Sequence, residues 1–167
     1  MAISDAELLY GDAQDGTVAT ATPEISDNVY DSSPLFTGNG GVDLGHGTPL
    51  YGTISVDTSF DSTGDAAFLQ IEFVSSAAEA LTTPTVHWDS GAIAELDLAA
   101  GDVINFVLPP GSNTPGSPYL RYTGFILTAS GENITVGELT MRVSLAPSVL
   151  QKAGDFASAL NIVTPTA

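Results

Sequence analysis

Five stretches of this chain alternate apolar and polar residues with a period of two, and turns rich in glycine and proline separate them. In "PLYGTISVDTSF" the residues Leu50, Gly52, Ile54 and Val56 alternate with Tyr51, Thr53, Ser55 and Asp57. "AAFLQIEFV" puts Leu69, Ile71 and Phe73 on one face and Gln70 and Glu72 on the other. "VINFVLPP" repeats the pattern with Ile104, Phe106 and Leu108, and "YLRYTGFILTA" with Leu120, Tyr122, Gly124 and Ile126. In "GELTMRVSLA", Leu139, Met141, Val143 and Leu145 point in, while Glu138, Thr140, Arg142 and Ser144 point out. Successive side chains of a strand stand on opposite faces, so each stretch reads as a half-buried strand. "TVHWDSGAIAEL" adds a short strand, a turn and a second short strand. No convincing long helix intervenes. About eight short strands in this order make an all-β protein, an antiparallel sandwich or barrel.

The flanks read differently. Residues 1–16 are an acidic lead-in in which "SDAE" offers a capping box, Ser4 with Glu7, that Gly11 stops; a short turn or arm is expected. "TVATATPEI" is a first strand, with Pro23 at its edge or end. Residues 24–47 form a long loop with a short strand around Val29 and Tyr30. "SSAAEALTTP" permits a helical turn or a loop. The sandwich domain spans residues 17–146. Beyond it, residues 147–167 form a tail in which Val149, Ala153, Phe156 and Leu160 fall near one helical face; it either docks on its own sandwich or grips a neighbour.

Charge limits the partners. Twenty acids face three bases, Arg121, Arg142 and Lys152, for a formal net charge of -17. Such a surface repels phosphate backbones and anionic head groups, which excludes nucleic acid and membrane partners and favours solubility, cations or a basic surface. No stretch approaches the ~20 apolar residues of a membrane span. The first residues carry no basic region and no apolar run, so the chain is expected to stay inside the cell until it is assembled or released. Without cysteine there is no thiol catalysis and no zinc-thiolate site.

Candidate chemistry is sparse. "GNGGVDLGHGT" has the glycines of a phosphate loop but no lysine, and a strand follows where a helix is required. Gly45-His46-Gly47 is read as a turn that launches a strand. A transition metal would need His46 and His87 with Asp43 or Asp89. Calcium would draw on Asp57, Asp61 and Asp65, or on Asp12 and Asp15, at spacings unlike a helix-loop-helix calcium loop. No Gly-x-Ser-x-Gly elbow is present. Trp88 and the five tyrosines offer a sugar platform or, singly, core and rim residues. Neither a catalytic constellation nor a metal or cofactor site is assigned, and the chain is not read as an enzyme.

The order of segments carries a resemblance. "ELLYGDAQDGTVATAT", then "DLGHGTPLYGTISVDTSFDSTGDAAFLQIEF", then "FVLPPG" before "PYLRYTGFILT", resembles the Bbp16-like capsid cement proteins of tailed bacteriophages over most of residues 7–146. The stretch "PEISDNVYDSSPLFTGNGGV" is longer than the family's usual loop, and the tail after Leu145 is an extension. The resemblance implies a jelly-roll-like β-sandwich, to which this chain is expected to add extended N- and C-terminal segments. It would sit as a decoration protein on the outer surface of an icosahedral head in the virion, made in the host cytoplasm. There it would bridge major capsid proteins of an HK97-like shell, with no cofactor and with self-association as a homodimer or homotrimer. Expected contacts are apolar residues in otherwise polar segments: Leu8, Leu9 and Tyr10 in the lead-in, Tyr30, Leu35 and Phe36 in the long loop, and Phe156 and Leu160 in the tail. Burial in the protein's own sandwich is the competing role for each. Arg121 and Arg142, conspicuous by scarcity, are either partner contacts or members of structural ion pairs, the latter favoured. The rival reading is a carbohydrate-binding β-sandwich module, calcium-dependent or not; a third is a hydrolase with clustered acids.

Overall fold

The computed structural model describes residues 7–31, 50–108 and 119–144. The strands are β1 (Glu7–Asp15), β2 (Glu24–Ile25), β3 (Tyr30–Asp31), β4 (Leu50–Ser62), β5 (Phe68–Ser76), β6 (Thr85–Ala94), β7 (Val103–Leu108), β8 (Tyr122–Ser130) and β9 (Ile134–Ser144), with one 3-10 turn at Glu95–Asp97. Two antiparallel sheets pack face to face. The first has the order β1-β9-β4-β7; the second has β2-β8-β5-β6, with β3 also on β8. The pairs β1 with β9, β2 and β3 with β8, β4 with β7, and β5 with β6 nest inside one another. A long hairpin wrapped so that its successive pairs fall alternately in two sheets is the jelly-roll sandwich.

Alternation explains the interior. Leu50, Ile54, Val56, Leu69, Ile71, Phe73, Phe106, Leu108, Leu139, Met141 and Val143 all belong to one buried cluster between the sheets, as their phase requires. Phe73, Phe125 and Tyr10 meet edge to face at 5.1–5.8 Å between ring centroids, an arrangement that adds about 1 kcal/mol per pair to the area they bury. Gly52 makes room for a further ring: a Cβ there would run into the Phe106 ring, which stacks on Trp88 at 3.7 Å and joins β6 to β7 across the sandwich.

Four expectations are corrected. Residues 7–15 are neither a turn nor an arm but an edge strand, and Tyr10 is 1% exposed. Its side chain turns inward because Tyr10 stands unpaired between Leu9↔Arg142 and Gly11↔Met141, a bulge. The stretch "TVATATPEI" forms no strand beyond Glu24 and Ile25; Val18 instead exchanges backbone hydrogen bonds with Ile134 at 3.0 and 3.2 Å. β6 does not turn at Ser90-Gly91 but bulges there, with Gly91 at φ +69° and the Ser90 hydroxyl accepting from the Ile71 amide. In β8, Gly124 and Ile126 share a face as expected, yet it is the outer one; Phe125, Leu127 and Ala129 fill the core. Both faces of β8 are buried because Leu81 and Val29 cover the outside, with Val74 and Ile126, as a second small cluster.

Candidate functional site

The two ends of the sandwich differ in how the chain passes over them. At one end β4 passes to β5, β6 to β7 and β8 to β9 within a few residues, and residues 16–23 lead from β1 towards β2. We call this the closed end. At the other end β1 begins, β3 ends, β4 begins, β7 ends and β9 ends, in one row: Glu7 pairs with Ser144, Ser144 with Tyr51, Tyr51 with Val107, and Asp31 with Tyr122. Residues 1–6, 32–49, 109–118 and 145–167 all join the described chain here. We call it the open end, and the described members of the expected contact set, Leu8, Leu9, Tyr10, Tyr30, Arg121 and Arg142, lie towards it.

Leu8 is half-buried against the core and Leu9 is 43% exposed on the outer face of the first sheet. Leu8, Leu9 and Tyr10 line a hollow of about 100 Å³ with Asn28, Val29 and Tyr30, between the edge strands β1 and β3. Backbone and side-chain bonds close its floor: the Asn28 amide donates to the Tyr10 carbonyl at 2.8 Å, and the Asn28 side chain to that of Leu9 at 3.3 Å. Tyr10 takes the core role rather than the contact role. Its hydroxyl meets Thr123 Oγ1 at 2.9 Å, and burial pushes its pKa above the ordinary tyrosine value. Tyr30 is half-buried against the same core.

Arg121 forms the ion pair that scarcity suggested. Its Nε and Nη2 reach the two carboxylate oxygens of Asp31 at 2.8 Å each, and its guanidinium lies 4.7 Å from the Tyr122 ring centroid. The Asp31 carboxylate holds the guanidinium pKa above its ordinary value. Arg142 is half-buried in β9, flanked by Leu9 on one side and Thr53 on the other. Two residues before Thr53 on β4 stands Tyr51, half-buried, which pairs in turn with Val107, 57% exposed, on β7. Both described arginines are therefore at the open end. Leu35 and Phe36, and Phe156 and Leu160 with Lys152, lie outside the described residues.

A second cluster at this end was not read from the sequence. The Ser75 hydroxyl accepts from the Leu120 amide at 3.0 Å and makes a hydrogen bond of 2.7 Å with His87 Nε2. The His87 ring lies 4.0 Å from that of Tyr119, and burial pushes the imidazole pKa down to about 4. Ser75 is fully buried, so the pair offers no nucleophile to a substrate. Only the fold brings Ser75, His87 and Tyr119 together, and no sequence spacing announces it.

The other candidates separate. Asp57 accepts from Thr140 Oγ1 at 2.7 Å, Asp15 from the Thr17 amide at 2.9 Å, and Asp89 from Gln70 and Gly91. Among the described residues no group of three or more His, Asp or Glu side chains is arranged to hold a metal ion; Asp43 and His46 lie outside them. Trp88 has one face covered by Phe106. Within the described residues no helix is long and apolar enough to cross a membrane.

No curated protein matches the chain. A family model does: the Bbp16 model matches residues 12–143, well over half of the sequence.

Proposed function

The chain belongs to the Bbp16 family, and from that premise we propose that it is a capsid cement protein, added to the outside of an icosahedral phage head through the open end of its sandwich. One observation carries the choice of end: both described arginines lie there, whereas Asp15, Asp61, Asp65, Glu95, Asp97, Glu132 and Glu138 crowd the closed end; exposed apolar residues stand at both ends, Leu9 and Val107 at the open one and Leu96 and Phe68 at the closed one. Interface cores are poor in carboxylates and rich in apolar and arginine side chains. The open end docks on the shell with few acids to desolvate, and the acidic closed end faces solvent and keeps neighbouring heads apart. Each copy touches more than one shell subunit and oligomerises on the surface, so modest single contacts add up to firm attachment. The role needs no catalysis, no cofactor, no nucleic acid and no membrane.

The test is co-sedimentation of the purified protein with heads that lack it, followed by heating. Saturable binding in a fixed ratio to the shell protein, with a higher rupture temperature, is the expected result. No binding at any salt concentration sinks the proposal.

A further inference from the structure

At the closed end two glutamates converge on one serine. Glu95, in the 3-10 turn after β6, is 1% exposed, and its Oε1 lies 2.8 Å from Ser62 Oγ at the end of β4. Glu132, in the turn between β8 and β9, places its Oε2 at 3.2 Å from the same hydroxyl and at 2.8 Å from the Gly64 amide. A serine hydroxyl has one proton. It satisfies one of these carboxylates and turns a lone pair towards the other. Nor is the rest of Glu95 provided for: its Oε1 has a second, long contact at 3.5 Å from the Ala67 amide, and its buried Oε2 has no hydrogen-bond partner. An ionised carboxylate oxygen without a partner in the interior is costly, and a second carboxylate across one hydroxyl adds repulsion.

The backbone is shaped to keep this arrangement. At Gly64 a Cβ would come within 2.6 and 2.8 Å of the two carboxylate oxygens of Glu132. At Gly131, with φ +81°, a Cβ would meet the Ala66 carbonyl oxygen. The turns thus bring two carboxylates to one hydroxyl, and all three side chains offer oxygen. Hard cations take such sets, and calcium accepts neutral oxygens and water to complete six to eight ligands.

We propose that Glu95, Glu132 and Ser62 form a calcium site that ties the 3-10 turn to the two turns beside it. With two carboxylates rather than three or more, its affinity falls in the class of extracellular modules, about 10⁻⁴–10⁻³ M. The half-exposed Glu132 gives the ion its way in, and Glu95 Oε2 is the ligand that has no other use.

The experiment is calorimetric titration of the full chain with calcium chloride, with thermal melting in calcium, magnesium and matched ionic strength. The expected result is one saturable calcium site per chain and a rise in Tm beyond that in magnesium. In Glu95→Gln and Glu132→Gln the site disappears, while the general response of an acidic protein to divalent ions persists. Glu95→Gln also melts higher than the native chain in chelator, because it removes the repulsion that the ion offsets, and this shows that the variant folds. Absence of a saturable site in the native chain overturns the proposal. So does a site of unchanged affinity in both variants.

Discussion

The closed end and the open end are built from the same strands, yet they use polar residues in opposite ways. At the closed end acids and amides are consumed in local bonds: Asn133 Oδ1 accepts from both the Thr20 amide and hydroxyl at 2.7 Å, and Glu138 accepts from Thr58 at 2.7 Å. Phe60 and Leu98, Gly16 and Gly137 are joined through the backbone at 3.0 and 2.8 Å. At the open end the strands stop in one row, and an aromatic core, an ion pair and a serine–histidine contact carry the load instead. Several turns cross the closed end, whereas among the described residues the passage from β5 to β6 over residues 77–84 crosses the open one.

Four measurements sharpen or break that contrast. The largest effect belongs to Tyr10. If β1 is core and not arm, Tyr10→Ala costs roughly 3–5 kcal/mol in urea unfolding, and Tyr10→Phe about 1 kcal/mol for the lost bond to Thr123. A loss below 1 kcal/mol for the alanine variant would return the segment to the surface. Next is Gly131→Ala at the closed end, where positive φ and the Ala66 carbonyl both oppose a side chain. About 1–3 kcal/mol of destabilisation is expected in the same assay, and an unchanged midpoint would mean that the turn relaxes freely.

Binding follows. If the open end docks on heads as proposed, Leu9→Asp weakens attachment about tenfold or more, while Leu96→Asp, at the 70% exposed position of the closed end, leaves it unchanged. Equal effects of the two would erase the distinction between the ends. The smallest effect is acid sensitivity at His87. Its folded pKa, about 4, lies below the ordinary 6.5, so the neutral ring is the one the fold favours. Its contribution is complete above pH 6.5 and is lost as the pH falls towards 4. Melting temperatures of the native chain and His87→Gln are expected to converge over that window, with faster amide exchange at Leu120. Parallel curves would rule out His87 as the titrating group.

Much of the fold was legible because period two survives wherever strands are regular, as from Leu50 to Val56 and from Leu139 to Val143. It failed where bulges break the phase. Tyr10 stands in one bulge and a second separates Gly11 from Gln14, so β1 showed no alternation and its acids suggested a helix cap. Ser90-Gly91 has the composition of a turn, and only pairing with β5 reveals the bulge. The face of β8 was misleading because Leu81, from a loop, covers its outside. Arg121 was found by rarity, a signal that names a residue without its partner; Asp31 lies ninety positions away in the sequence. Glu95 was one acid among twenty, and nothing local distinguished the one that the fold buries.

The pairing of β1 with β9 has a consequence for how the molecule is made. Glu7 leaves the ribosome before Ser144 and meets it only after the residues between them have followed. Until then the first sheet lacks its edge strand, and Tyr10 lacks the far wall of its aromatic cluster, Phe125, which is also synthesised late. Contacts this distant in sequence form slowly. A chain truncated before β9 therefore cannot assemble the row of strand ends where β1, β4, β7 and β9 meet, and translation must reach β9 before that row can form.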